Sequence, residues 1–185
     1  MSFMVTKKGT TGTTQNSANI VFPAVRGKTA SLISITGYAT AATEKFTGYS
    51  MSGYSASSTA AVAATVVRVD DSAHFTNGAR IVVQAASATL TGSHVYSRLL
   101  ATAPATSGNL RFTQALSAAD PVAVDDYVFE MANTLGDVFL MEQLQRQSLA
   151  GLANPILSAP KGSPILLVPN TPSTSRIDSA TVVYE

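Results

Sequence analysis

The stretch VRVDDSAHFTNGARIVV, Val67 to Val83, decides how the rest of the chain is read. Val67 and Val69 alternate with Arg68, and Ile81 to Val83 form a β-branched return. Between them lie Asp70, Asp71, Asn77 and Gly78, residues that turn a chain because their side chains bond nearby amides or because they accept a positive φ. The same letters also offer chemistry, since two adjacent carboxylates precede His74. A hard cation, however, asks for about six or more oxygens, and the loop lacks the EF-hand spacing. The reading that follows is a strand, a turn and a returning strand. Asp70 and Asp71 turn the chain, Phe75 points into a barrel, and Gly78 takes the left-handed position. A metal site is the lesser reading.

Working outward, the same pattern repeats. ATVVRV (64–69), ARIVVQ (79–84), SHVYSRLLA (93–101), NLRFTQAL (109–116) and DDYVFEM (125–131) are short and β-rich, with turn-like segments between them. This spacing predicts a small antiparallel barrel or sandwich at about 62–132. TASLISITG (29–37), KFTGYSMSGY (45–54), PILLV (164–168) and SRIDSATVVYE (175–185) read as flanking strands, the second interrupted by Gly48 and ended by Gly53. GDVFLMEQLQRQSLAGLAN (136–154) fits a short helix and a strand equally, because its residues are good helix formers while Val138, Leu140 and Leu144 also suit one sheet face. KKGTTGTTQNSAN (7–19) lacks periodicity and bulk. We therefore expect an extended N-terminal arm over 1–23 and a mainly β domain over 24–185, with at most one short helix.

Composition narrows the function classes. Of 185 residues, 45% are hydrophobic but only 12% are charged, about half the usual share. The polar surface must be built mostly from Ser, Thr, Asn and Gln, and much of the surface is Ala, Ser and Thr, small side chains that lose little entropy when covered by another subunit. The net charge of +1 argues against a nucleic-acid partner. The charge is nonetheless uneven, because Lys7, Lys8, Arg26, Lys28 and Lys45 face Glu44 alone in the first 45 residues. Without cysteine there is no thiol nucleophile or thiolate metal site. No run approaches the length of a membrane-spanning helix, and the start has no signal-peptide core. No membrane partner is expected.

Val67, Val69, Phe75, Gly78, Ile81, Val82, Leu110, Phe112, Leu116 and Val128 stand in a pattern that resembles a small β-module of tailed-bacteriophage structural proteins. Ala79 departs from it where an acid is usual, and Asp125 where a glycine is expected. GKTASLISITGYAT with KFTGYSM, and PILLV with TVVYE, are similar to the opening and closing strands of capsid cement (decoration) proteins. The resemblance implies a virion protein on the outer capsid surface, bound to a major capsid protein and oligomeric with itself. A trimer is one arrangement, but the sequence does not fix the symmetry.

Catalysis has little to stand on. Asp125 and Asp126 are adjacent, so in a strand they point to opposite faces. His74 and His94 have no G-x-S-x-G elbow to serve. GTTGTT (9–14) mimics a phosphate loop without its strand-to-helix setting. Tyr38, Phe46, Tyr49 and Tyr54 either stack on a ligand or form an ordinary half-buried sheet face, which is commoner. We therefore expect a structural, non-enzymatic protein without metal or cofactor. Its partner-binding residues are Phe3, Lys7, Lys8, Ile20, Val21, Phe22, Arg26 and Lys28, an apolar and basic set suited to an acidic capsid surface. The alternatives are a tail or head–tail connector component, or a carbohydrate- or receptor-binding β-module using Tyr38, Tyr49 and Tyr54.

Overall fold

The structure, a computed structural model, describes residues 1–9, 18–39, 44–60, 65–86, 95–102, 108–116, 122–139, 146–149, 153–171 and 174–185. Every regular element among them is a strand, and the pairing is antiparallel wherever a register is defined. The chain divides into two compact units, one made of Met1–Ser50 with Thr134–Glu185, the other of Met51–Asn133.

The first half of unit 1 supplies β1 (Phe3–Lys8), β2 (Ile20–Phe22), β3 (Ala30–Ala39) and β4 (Lys45–Ser50). Unit 2 supplies β5 (Gly53–Ala56), β6 (Val66–Arg68), β7 (Arg80–Gln84), β8 (Val95–Thr102), β9 (Asn109–Phe112) and β10 (Tyr127–Glu130). The chain then returns to unit 1 through β11 (Asn133–Phe139), β12 (Arg146–Leu149), β13 (Leu157–Ala159), β14 (Ile165–Pro169) and β15 (Ser175–Tyr184).

Unit 2 is a six-stranded sheet in the order β5-β10-β7-β8-β9-β6. It curls until its two ends meet at the bridge between Ser57 and Val69, where Asp70 N also donates to Ala56 O at 3.0 Å. Alternation explains the filling. Val67 and Val69, Ile81 and Val83, Leu110 and Phe112, and Val128 point inward and form one core with Phe75, Leu100 and Leu116. These are the apolar positions that the opening stretch and its successors present in sequence. Phe75 is buried, and Gly78 sits at φ 76°, as the turn requires. At the position where the related pattern has glycine, Asp125 adopts φ 68°. An L-residue in that region is strained, and Asp tolerates it better than most. We expect Asp125→Gly to raise stability by about 0.5–1 kcal/mol, and Asp125→Ala to lower it. Urea midpoints of the two variants check this; equal midpoints would remove strain as the cause.

In unit 1 a sheet ordered β1-β15-β3-β12, with β13 also on β3, faces a second sheet ordered β11-β4-β14-β2. Both contribute to one core, including Phe22, Leu32, Ile35, Phe46, Ile165, Leu167, Val182 and Tyr184. Sheets sharing a core in this way make a sandwich.

Three sequence expectations change here. The arm expected over 1–23 is built into the sheets at both ends. β1 pairs with β15 from Phe3↔Tyr184 to Lys8↔Ser179, and Ile20–Phe22 pair with β14 inside the sandwich. Alternation places Phe3 and Val5 on the core side, and extended backbone beside a free sheet edge pairs with it. Of the low-bulk segment, residues 10–17 lie outside those described. Second, the strand expected over 45–54 is two strands. β4 ends at Ser50 and Gly53 opens β5, so one strand serves each unit. Third, the described parts of 136–154 that take regular structure belong to two strands, β11 (Asn133–Phe139) and β12 (Arg146–Leu149). Pairing of β12 with β3 outweighs the helix propensity of Leu, Gln and Arg.

Candidate functional site

The carboxylates of the opening stretch serve the backbone. Asp71 Oδ1 accepts from Ala73 N at 2.8 Å, closing a local turn, while Asp71 N donates to Ser55 Oγ at 2.9 Å. Asp70 is exposed. His74 lies against Phe75, ring centres 4.4 Å apart, and covers Gly53 so closely that a Cβ there would strike the imidazole. The three residues are thus separated in role. Among the described residues no group of three His, Asp or Glu side chains converges on one point.

The second acidic pair is also divided. Asp125 is exposed at its strained turn. Asp126 is buried and accepts from Ala86 N at 3.0 Å and Ala123 N at 2.8 Å, tying the end of β7 to the entry of β10. Sequence reasoning missed Glu130, which is equally buried. It accepts from Thr76 N at 2.6 Å, Thr76 Oγ1 at 3.2 Å and Ser52 Oγ at 3.1 Å. No local signal marks it, because its partners are 54 and 78 residues away. Carboxylates satisfied in this way are braces, and removing one strands the amides it accepts from. His94 and residues 10–14 of the GTTGTT run lie outside the described residues.

The eight expected binding residues fall into two groups. Ile20, Val21 and Phe22 are buried at 4%, 7% and 0% exposure, so they are core of their own unit and unavailable as anchors for a partner. Their run of three apolar residues was legible, but its burial by β14 was not. Phe3, Lys7 and Lys8 come together on β1. Phe3 stacks on Tyr184 with ring centres 5.0 Å apart and stays half-exposed. Val5 and Lys7 share its face and its partial burial, while Met4, Thr6 and Lys8 are exposed on the other. Burial pulls the Lys7 ammonium below its usual range. Lys28 Nζ donates to Met1 O at 2.7 Å, which brings that cation to the start of the same strand. Arg26 is exposed in the turn that precedes Lys28 and β3. Among the described residues Lys7, Lys8 and Arg26 form no ion pair, in contrast to Lys45, paired with Asp137, and Arg176, paired with Asp178.

The expected aromatic platform is not one surface. Tyr38 lies on β3 under the Arg176 guanidinium, 5.3 Å from its ring centre, and Tyr49 lies on β4 in the other sheet. Tyr54 instead joins two rings that the sequence reading passed over. It lies 5.8 Å from Phe129, which lies 6.1 Å from Tyr127. Tyr54 and Tyr127 are 56% and 41% exposed, making the outer face of β5 and β10 the aromatic patch of unit 2. The i, i+2 spacing of Tyr127 and Phe129 was the available clue.

No protein-family model matches the chain, and no curated protein matches it. Among solved structures it is similar to VP17, a capsid protein of bacteriophage P23-77, at 7% identity and TM-score 0.18, with 100% of this chain and 96% of that chain covered. It is also similar to the complex of the two major capsid proteins of that phage, VP16 and VP17, at 8% identity and TM-score 0.18, with 98% and 97% covered. At that TM-score neither likeness carries an argument about this chain.

Proposed function

We propose that the protein is a structural, non-enzymatic component of a phage virion, a cement or decoration protein that binds the outer surface of the capsid and bridges neighbouring capsomers. The observation that carries the reading is the cationic N-terminal edge. Among the described residues Lys7, Lys8 and Arg26 have no acidic partner, on a chain otherwise poor in charge. Such unspent charge suits an acidic partner surface, where it steers encounter more than it adds raw affinity. The buried carboxylates support the same reading from the other side, since Asp126 and Glu130 are occupied in holding strands together. The resemblance of the opening stretch and the flanking strands to phage structural proteins agrees with it.

The test is add-back of purified protein to phage heads that lack it. Lys8→Glu/Arg26→Glu changes two exposed side chains and is expected to leave the fold intact, as a native far-UV spectrum checks. We expect head binding to weaken about tenfold at physiological salt, with a shallower salt dependence. Unchanged binding, or no binding by the native protein, sinks the reading.

One observation favours a second reading, a receptor- or carbohydrate-binding module. It is the exposed pair Tyr54 and Tyr127 flanking Phe129. Under that reading, Tyr54→Ala abolishes binding to host-surface glycans while head binding is unchanged.

A further inference from the structure

We propose that the free edge of β1 joins two copies of this chain, the two strands running antiparallel about a two-fold axis at Val5. Among the described residues β1 pairs with β15 alone, so one row of its backbone donors and acceptors has no strand beside it. An edge of this kind is a template for another strand. The core is also unfinished there. Phe3 and Val5 pack against the sandwich core yet remain half-exposed, whereas the corresponding residues of β15, Val182 and Tyr184, are fully buried. A strand about 4.8 Å away in the same sheet covers the remainder.

The side-chain pattern selects a second copy and a register. Directly opposed residues in an antiparallel pair lie on the same face. To keep the core-facing row continuous, Phe3, Val5 and Lys7 must therefore oppose one another's row. Centred on Val5, Val5 meets the partner's Val5, and Phe3 meets the partner's Lys7, whose alkyl stem and ammonium suit an aromatic face. On the outer face Met4 meets the partner's Thr6. All residues from Phe3 to Lys7 are then paired with residues of the same strand, and both apolar side chains are covered. A centre at Thr6 leaves the partner's Phe3 beyond the end of the pairing, and a centre at Lys7 puts like charges directly opposite, which is destabilising. In the Val5 register the two Lys7 residues stand roughly 13 Å apart along the strands, beyond the screening length at physiological salt. The lysines that guard this edge against indiscriminate pairing thus permit one self-pairing.

The native chain has no cysteine, so a single introduced thiol reports one contact. Sedimentation equilibrium of the native protein is expected to give a reversible monomer–dimer transition at about 10 μM, as befits a small contact. Under mild oxidation Val5→Cys is expected to form a disulfide dimer, and Lys8→Cys, opposite the partner's Ser2, to remain a thiol. Should Val5→Cys disturb the core, a mixture of Met4→Cys and Thr6→Cys proteins, both altered on the exposed face, is expected to cross-link heterotypically. A native protein that stays monomeric throughout overturns the proposal. So does a dimer that links through position 8 as readily as through position 5, or in which neither position 5 nor the 4/6 mixture links. The result is independent of capsid binding, since a protein that ignores phage heads still dimerises if the edge pairs with itself.

Discussion

Residues 51–133, expressed without the rest of the chain, are expected to fold cooperatively and give the far-UV spectrum of an all-β protein. Three features require it. The unit has its own core, built from Val67, Ile81, Leu100, Leu110, Phe112 and Val128, all at 0–2% exposure. Its sheet closes through Ser57 and Val69, so excision exposes no long unpaired strand between β5 and β6. Its two ends are already joined. Ser52 N donates to Glu130 O at 2.8 Å, and Asn133 Nδ2 donates to Met51 O at 2.6 Å. For a segment of this size a single urea transition with a stability of about 4–10 kcal/mol is expected. A fragment that binds a hydrophobic dye and melts without a transition would show that its core is not self-sufficient. The complementary deletion is expected to fold too, because the chain leaves β4 and re-enters β11 at ends that a few glycines and serines can span.

Tyr184→Ala is expected to be the most damaging single substitution in the sandwich. The ring is fully buried, stacks on Phe3, and donates its hydroxyl to Pro23 O at 2.8 Å. Truncation removes that packing, leaves a cavity and strands a buried carbonyl, for a loss of about 3–5 kcal/mol. Tyr184→Phe keeps the packing and costs about 1–3 kcal/mol. With two separate cores, the native protein is expected to show two thermal transitions, and calorimetry of Tyr184→Ala to shift only one. A uniform shift of both would mean that the units unfold as one. A pH signature accompanies it. Burial pushes the phenol's pKa upward, so the folded state keeps a proton that the unfolded chain releases. Stability from this group is full below the unfolded phenol's value of about 10 and falls as pH rises beyond it. Tyr184→Phe loses that part of the decline.

The barrel was legible because its strands alternate. Val67/Val69, Leu110/Phe112 and Val128 announce an inward face without knowledge of their neighbours, and Gly78 marks its turn. The sandwich was less legible for a reason of distance. The partner of Phe3 is Tyr184 and that of Ile20 is Leu167, pairings that no local pattern can reveal. Hence β1 read as a loose arm and Ile20–Phe22 as exposed anchors. The aromatic patch failed in the same way. Tyr38, Tyr49 and Tyr54 cluster in sequence, but Tyr54 finds its ring neighbours across the register Tyr54↔Phe129. Asp125 is the opposite case. The departure noticed in sequence proved to be a residue held where glycine would rest without strain.

The pairing of β1 with β15 also sets a timetable for synthesis. β1 leaves the ribosome early, yet its hydrogen-bond partner is encoded some 175 residues later. The barrel, whose strand pairings are made by β5 to β10, all within 51–133, can close while the chain is still growing. Until β15 emerges, Phe3–Lys8 has no strand to pair with, and Lys7 and Lys8 are the charged residues of this waiting segment, the kind that discourage indiscriminate strand pairing.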